Sequence, residues 1–321
     1  MTKKILAIGN AIVDILSKTE EGFLEENNLI KGSMSLIDDD TANKLASIHA
    51  EKISSGGSAG NTIATLAQLG SKAAFIGKVG NDEFGSKFIS EIEKTGTEFV
   101  SNKNHTDPSA KSFILVTPDA QRTMCTFLGC ASQITESDID PNIFKDTSIL
   151  YLEGYLWDAP STINALKKAI RLAKENGVKV AFSLSDSFCV SRHKNDFLEL
   201  IKNDLDILFA NEAESQEISD NFAKLVSEND RLTAIVTKSE KGCDIFSAGN
   251  NFSLPTQEVT QLIDTTGAGD AFAAGLLYSI NNGFDLKKSA TLANVIAGKI
   301  IQKFGARFDE SEIKELKNAL V

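Results

Sequence analysis

The chain opens on a short β-branched apolar run, Ile5 to Ile8, closed by Gly9-Asn10 and followed by Ala11-Ile12-Val13-Asp14-Ile15, in which one acid is set among apolar residues. This pattern predicts strand, turn, strand. From Lys18 to His49, polar helical pieces (Glu20 to Asn28, Asp39 to His49) flank one short strand, Ser33 to Ile37. A helix carrying Ile63, Leu66, Ala67 and Leu69 on one face stops at Gly70, and Phe75 to Gly85 reads as a strand and loop. Phe99 to Asn102, Ser112 to Val116 and Arg122 to Phe127 read as short strands separated by the turn-forming Asp107-Pro108 and Pro118-Asp119. Parallel strands need long crossovers, and none lies between these, so they predict a small antiparallel or mixed sheet of their own. From Ile149 the pattern becomes a regular alternation: strand to Leu152, helix Ser161 to Asn176, strand Lys179 to Leu184, helix Lys194 to Asn203, strand Ile207 to Ala210. Such alternation predicts an α/β fold with right-handed crossovers, a doubly wound, mostly parallel sheet, and ligands at the C-terminal ends of its strands.

A length of 321 residues suits one large α/β domain with an appendage, or two small domains. No apolar run reaches the ~18 residues of a membrane span. Met1 to Lys4 leads into Ile5 to Ile8, but Gly9-Asn10 interrupts before the apolar core of a signal peptide could form. The net charge of −11 argues against a nucleic-acid partner. The four cysteines form no CxxC pair, which fits a reducing cytoplasm, and the three histidines, His49, His105 and His193, lack zinc-site spacing.

The stretch richest in chemistry is Asp264-Thr265-Thr266-Gly267-Ala268-Gly269-Asp270, which passes directly into the apolar helix Ala271 to Tyr278. A helix N-terminus has free N–H groups and a dipole that favours negative charge, and Gly267, Ala268 and Gly269 let an anion approach closely. Asp270, in the first turn, is placed to accept a proton from a hydroxyl. Thr266 or Asp264 could be an ordinary cap, but two carboxylates bracketing so bare a loop favour a phosphate site. No Lys follows the glycines as in a Walker A loop, and Phe272 stands where a dinucleotide fingerprint has its third glycine. A second glycine-rich helix start, Gly56-Gly57-Ser58-Ala59-Gly60-Asn61, matches the GxSxG nucleophile elbow and raises a serine hydrolase with Ser58 as nucleophile; only His105 or His193 could then be the base. Its preceding residues, His49 to Ile53, make a poor buried strand.

Asp264-Thr-Thr-Gly-Ala-Gly-Asp-Ala-Phe272 resembles the C-terminal signature of the ribokinase-like (PfkB) carbohydrate and nucleoside kinases, and the resemblance runs from Gly9 to about Gly305. It implies residues 1–14, 51–98 and 129–321 as a large catalytic domain and 15–50 and 99–128 as a lid that keeps water from the reaction. It also implies ATP, Mg²⁺ and a small-molecule acceptor, leaving open a monovalent cation such as K⁺ and a monomer or homodimer. In that reading Asp270 is the base, the Gly267, Ala268 and Gly269 amides form the anion hole, and Arg122 from the lid neutralises charge. Asn10, Asp14, Gly56, Gly57, Ser58 and Asn61 hold the acceptor, with Phe127 and Tyr155 as stacking candidates. Asn211 and Glu214 form an Asn-x-x-Glu pair that arranges Mg²⁺ through water. Asn211, Thr237, Lys238, Gly242, Thr265 and Asn294 lie at the nucleotide, with Ser239 standing where the family usually has Gly. Segments such as Gly9 to Asp14, Gly56 to Asn61 and Arg122 to Ala131 resemble adenosine kinases most. The expected reaction is therefore transfer of the γ-phosphoryl group to a primary hydroxyl of adenosine or a similar nucleoside, with a sugar kinase as the alternative.

Overall fold

The computed structural model describes residues 3–100, 106–119 and 121–320. Nine strands form one sheet in the order Asn250–Leu254, Cys243–Ser247, Thr233–Thr237, Ile207–Asn211, Lys179–Ser183, Thr147–Glu153, Lys4–Ile8, Ala73–Ile76, Thr97–Phe99. All neighbours pair parallel except at one edge, where Cys243–Ser247 pairs antiparallel with both Thr233–Thr237 and Asn250–Leu254.

Side chains alternate across this sheet. Leu6, Ile8, Leu150, Leu152, Val180, Phe182 and Leu208 pack on one face against helices Pro160–Glu175 and Ser187–Asn203. Ile5, Ala7, Ile149, Tyr151, Ala181, Ile207 and Phe209 pack on the other against Ser58–Leu69, Glu83–Lys94, Ala268–Asn281 and Leu286–Ile300. Because both faces are covered, the strands read as unbroken apolar runs. The expected doubly wound α/β architecture is what the chain adopts.

A five-stranded mixed sheet stands apart, ordered Met34–Leu36, Arg122–Phe127, Ala110–Val116, Ile12–Lys18, Lys52–Ser55. Its back packs Ile15, Phe113, Leu115 and Cys125 against Leu24, Ala42 and Leu45 of two short helices. Three expectations shift here. The strand 12–18 runs through the boundary expected after residue 14. Lys52–Ser55 pairs with it antiparallel, so this poorly apolar stretch belongs to the small sheet, where an edge tolerates it. The strand expected at 99–102 is instead Thr97–Phe99 at the edge of the large sheet, with Phe99 buried beside Phe75 and Phe88; residues 101 and 102 lie outside the described residues. The helix expected from Lys194 begins earlier, at Ser187, because Asp186 accepts the Cys189 N–H as its cap, and it kinks at His193. The four cysteines are buried and unpaired.

Candidate active site

Glycine-rich turns at the C-terminal ends of the large sheet face the small sheet across a cavity of about 370 Å³. Gly267 caps the helix Ala268–Asn281 at φ 77°, and a Cβ there would come within 2.6 Å of the Ala306 Cβ, so the turn demands glycine. Asp264 holds this loop in shape. Its Oδ1 accepts the Thr266 N–H at 2.8 Å, while its Oδ2 accepts the Gly305 N–H at 2.8 Å and meets Arg122 Nη2 at 2.6 Å. Burial alone would raise its pKa, but those amides and the guanidinium outweigh burial and hold it below the usual range. A Cβ on Gly269 would meet nothing within 4 Å, and the N–H groups of Gly269 and Asp270 have no partner among the described residues. Free amides at a helix N-terminus thus point into open cavity, which is the arrangement an anion needs.

Asp270, one residue on, accepts from Ser58 Oγ at 2.7 Å and from Asn61 Nδ2 at 3.0 Å. Burial lifts its pKa to about 6, against those two donors and the nearby Arg307. Asp14 is lifted to about 7 by burial and by the Asp270 charge, with Arg307 opposing. A Cβ on Gly56 would lie 2.1 Å from Asp14 Oδ2, and one on Gly57 (φ 79°) 2.4 Å from the Asn10 carbonyl oxygen. The paired glycines therefore exist to let Asp14 and Asn10 come this close. Glu153 ties the two segments together: its oxygens accept the Asn10 N–H at 2.8 Å and the Ala59 N–H at 2.6 Å. Burial raises it to about 7 despite those amides.

Of the residues expected at the site, Asn10, Asp14, Gly57, Ser58, Asn61, Tyr155, Asn211, Glu214, Thr237, Thr265, Gly267, Ala268, Gly269 and Asp270 all line this one cavity. Gly56 lies behind Asp14. Arg122 bonds Thr266 as well as Asp264 and stacks on Phe304, so it bridges the small sheet to the anion loop.

Phe127 is a correction. Met124 and Thr126 face the cavity, so period-2 alternation turns Cys125 and Phe127 to the opposite face, where Phe127 packs on the small-sheet core. Three nucleotide-site expectations also fall outside the cavity lining. The Lys238 ammonium pairs with Asp244 at 3.0 Å, and Asn294 donates to the Pro255 carbonyl at 3.3 Å. Gly242 (φ 90°) has the Leu254 carbonyl oxygen 2.0 Å from a Cβ placed there, so it is required by the hairpin turn. Ser239 takes φ 51°, the left-handed conformation that a glycine would adopt freely.

Asn211 and Glu214 form a reciprocal cap at the start of helix Glu212–Ile218: Asn211 donates its N–H and its Nδ2 to the two carboxylate oxygens at 2.9 and 2.6 Å, and Glu214 N–H returns to Asn211 Oδ1 at 2.9 Å. Burial raises Glu214 to about 7. With both its oxygens already accepting, this all-oxygen pair suits a hydrated Mg²⁺ and not a stripped one. Against the hydrolase alternative, Ser58 donates to Asp270 and His193 Nε2 engages Asp158 at 2.7 Å; His105 lies outside the described residues.

Sequence reasoning missed Glu153 and Arg307. Glu153 was visible as an acid ending an apolar strand, the place where ligands bind in such sheets. Arg307, in the loop between helices Leu286–Ile300 and Glu310–Leu320, gives no local signal; only the fold brings it to Asn61, Ser55 and Gly56.

Comparison with known proteins agrees with this geometry. The model of the pfkB family carbohydrate kinases matches residues 4–313. The adenosine kinase of Saccharomyces cerevisiae is 25% identical, aligned over 99% of this chain and 100% of its own. The 5-dehydro-2-deoxygluconokinase of Clostridium perfringens is 24% identical over 82% of each chain. The crystal structure of adenosine kinase from Sinorhizobium meliloti superposes with a TM-score of 0.91 at 37% identity, covering 99% of this chain and 100% of that one. The chain is a phosphotransferase acting on an alcohol group and belongs to the PfkB family of carbohydrate kinases.

Proposed function

We propose that the acceptor is adenosine or a similar nucleoside, phosphorylated by ATP at its primary hydroxyl. The observation that carries this is the two-sided wall of the small sheet. Strand register sets Asp14, Ser112, Thr126 and Leu36 in one row across the sheet and Ile114, Met124 and Met34 in the next. A row led by a carboxylate and two hydroxyls suits sugar hydroxyls, and an apolar row beside it offers a flat surface to a base, which a bare sugar would leave unused.

In this reading Asp270 takes the hydroxyl proton as the acceptor oxygen bonds to the γ-phosphorus and the bond to the β-bridging oxygen breaks. The free amides of Gly269 and Asp270 face the charge on the transferring group, while the Ala268 N–H is held by the Thr265 carbonyl at 3.2 Å. Its raised pKa keeps Asp270 basic enough to receive a proton yet ionised at neutral pH. Mg²⁺ supplies charge neutralisation on the phosphates when bound, and Asn211 with Glu214 would hold it through water.

The test is ADP release from Mg·ATP with adenosine, inosine, ribose, fructose and 2-keto-3-deoxygluconate. Adenosine is expected to turn over best, Asp270→Asn to lower kcat by about 10²–10⁴, and Ser58→Ala by no more than about tenfold. Turnover of a sugar with no nucleoside accepted would establish the sugar kinase that the Clostridium relative represents.

A further inference from the structure

The loop that follows helix Leu286–Ile300 touches both halves of the site within three residues. Gly305 N–H is bonded to Asp264, which shapes the anion loop. The Ala306 Cβ lies 2.6 Å from the place a Cβ on Gly267 would take. Arg307 then crosses to the acceptor half. Its Nε donates to Asn61 Oδ1 at 3.0 Å, one Nη donates to Ser55 Oγ, and the other lies 3.4 Å from the Gly56 carbonyl oxygen. Asn61 in turn gives its Nδ2 to Asp270. The guanidinium thus decides which way the Asn61 amide points: with the oxygen held by Arg307, the NH₂ must face Asp270.

We propose that Arg307 is a positioning residue for phosphoryl transfer, orienting Asn61 onto Asp270 and supplying the positive charge that lets Asp14 and Asp270 stand together as carboxylates. The inference rests on Asp270 being the base.

The charges that act on the guanidinium come from three elements. Asp14 stands on strand Ile12–Lys18, Asp270 on helix Ala268–Asn281, and Glu91 on helix Glu83–Lys94. Lys87 offsets Glu91 at 2.7 Å, and the Asp270 charge also acts on Glu153 and the Tyr151 phenol. No lysine or arginine, Arg307 included, lies within ion-pair distance of Asp14 or Asp270 among the described residues. The Arg307 charge acts on both carboxylates through space, and burial pulls its own pKa down to about 10 while the three carboxylates resist. A guanidinium tolerates that loss and still carries its charge at neutral pH.

The role separates from mere packing in a pH profile. Without the cation, Asp270 and Asp14 hold their protons to higher pH, so the acidic limb of kcat/KM moves in the alkaline direction. For Arg307→Met, assayed with Mg·ATP and with adenosine and ribose as acceptors, the limb is expected to move up by about one pH unit or more. Arg307→Lys keeps the charge but not the fork, so its limb should stay while kcat falls about tenfold. A loss of activity by the same factor at every pH in Arg307→Met overturns the proposal. If that protein does not fold, Arg307→Lys decides: unaltered kcat overturns it. Asp270→Asn, run alongside, separates the two readings. An inactive Asp270→Asn with an unmoved limb in Arg307→Met removes only Arg307's role, whereas an active Asp270→Asn removes the base and this inference with it.

Discussion

The molecule contains two glycine-rich helix starts that look alike in sequence and are used in opposite ways. At Gly56-Gly57-Ser58 the helix N-terminus is already filled from within, because the Glu153 carboxylate accepts the Ala59 N–H and its glycines serve the close approach of Asp14 and Asn10. At Gly267-Ala268-Gly269 no carboxylate among the described residues accepts the first-turn N–H groups, since Asp264 bonds the preceding Thr266 and Asp270 turns to Ser58 and Asn61, and Gly269 faces open space. The lesson is that small residues before a helix make an anion site only where the protein withholds its own carboxylate. The one start binds its neighbours, and the other is left for a ligand.

The contrast can be broken most severely by Glu153→Ala, which leaves two buried N–H groups without an acceptor. At about 1–3 kcal/mol each, a loss of about 3 kcal/mol in chemical denaturation is expected; an unchanged midpoint would show that water replaces the carboxylate without cost.

A second effect comes from pH. Asp14, Glu153 and Glu214 at about 7 and Asp270 at about 6 are all raised above their unfolded values near 4. Between about pH 5 and about pH 7 the folded form then binds more protons than the unfolded chain, so stability falls as pH rises. Groups held low, such as Asp264, are ionised in both states across this window and add no slope. One net proton is worth about 1.4 kcal/mol per pH unit, so thermal melts of the unliganded protein should show the melting temperature dropping toward neutrality; a rise would refute the burial of these acids.

The gentlest change is Gly269→Ala. Its methyl meets no protein atom and the position is helical, so stability should stay within about 1 kcal/mol of the wild type. Phosphoryl transfer should nonetheless fall, because the methyl takes space reserved for the anion. Full activity would mean that the phosphate lies elsewhere.

Much of this was legible in the chain itself. The βα alternation from Ile149 onward and the loop Asp264 to Asp270 are local patterns, and local patterns survive folding. What was not legible is long-range. Phe127 looked like a stacking residue until strand pairing fixed which face it shares, and a one-residue shift decides that. Lys238 and Asn294 fall outside the cavity lining, and Asp244 and the Pro255 carbonyl claim their polar atoms. Ser239 shows the reverse: sequence flagged a departure, and the backbone keeps the left-handed conformation anyway, at a cost of about 1 kcal/mol or more. Arg307 could be found only through the fold, since it is 246 residues from the Asn61 it orients.

The four solitary cysteines have a practical consequence. Burial pushes the thiols of Cys125, Cys130 and Cys243 up to about 11 and that of Cys189 higher still, so none is a ready nucleophile in the folded chain. Cys125 belongs to the core of the small sheet, while Cys189 and Cys243 belong to the two faces of the large one. Each layer thus carries its own silent tag. A thiol-reactive dye, pulsed and then mapped by peptide mass, would register which layer breathes first and would distinguish the opening of the small sheet from the unravelling of the whole protein.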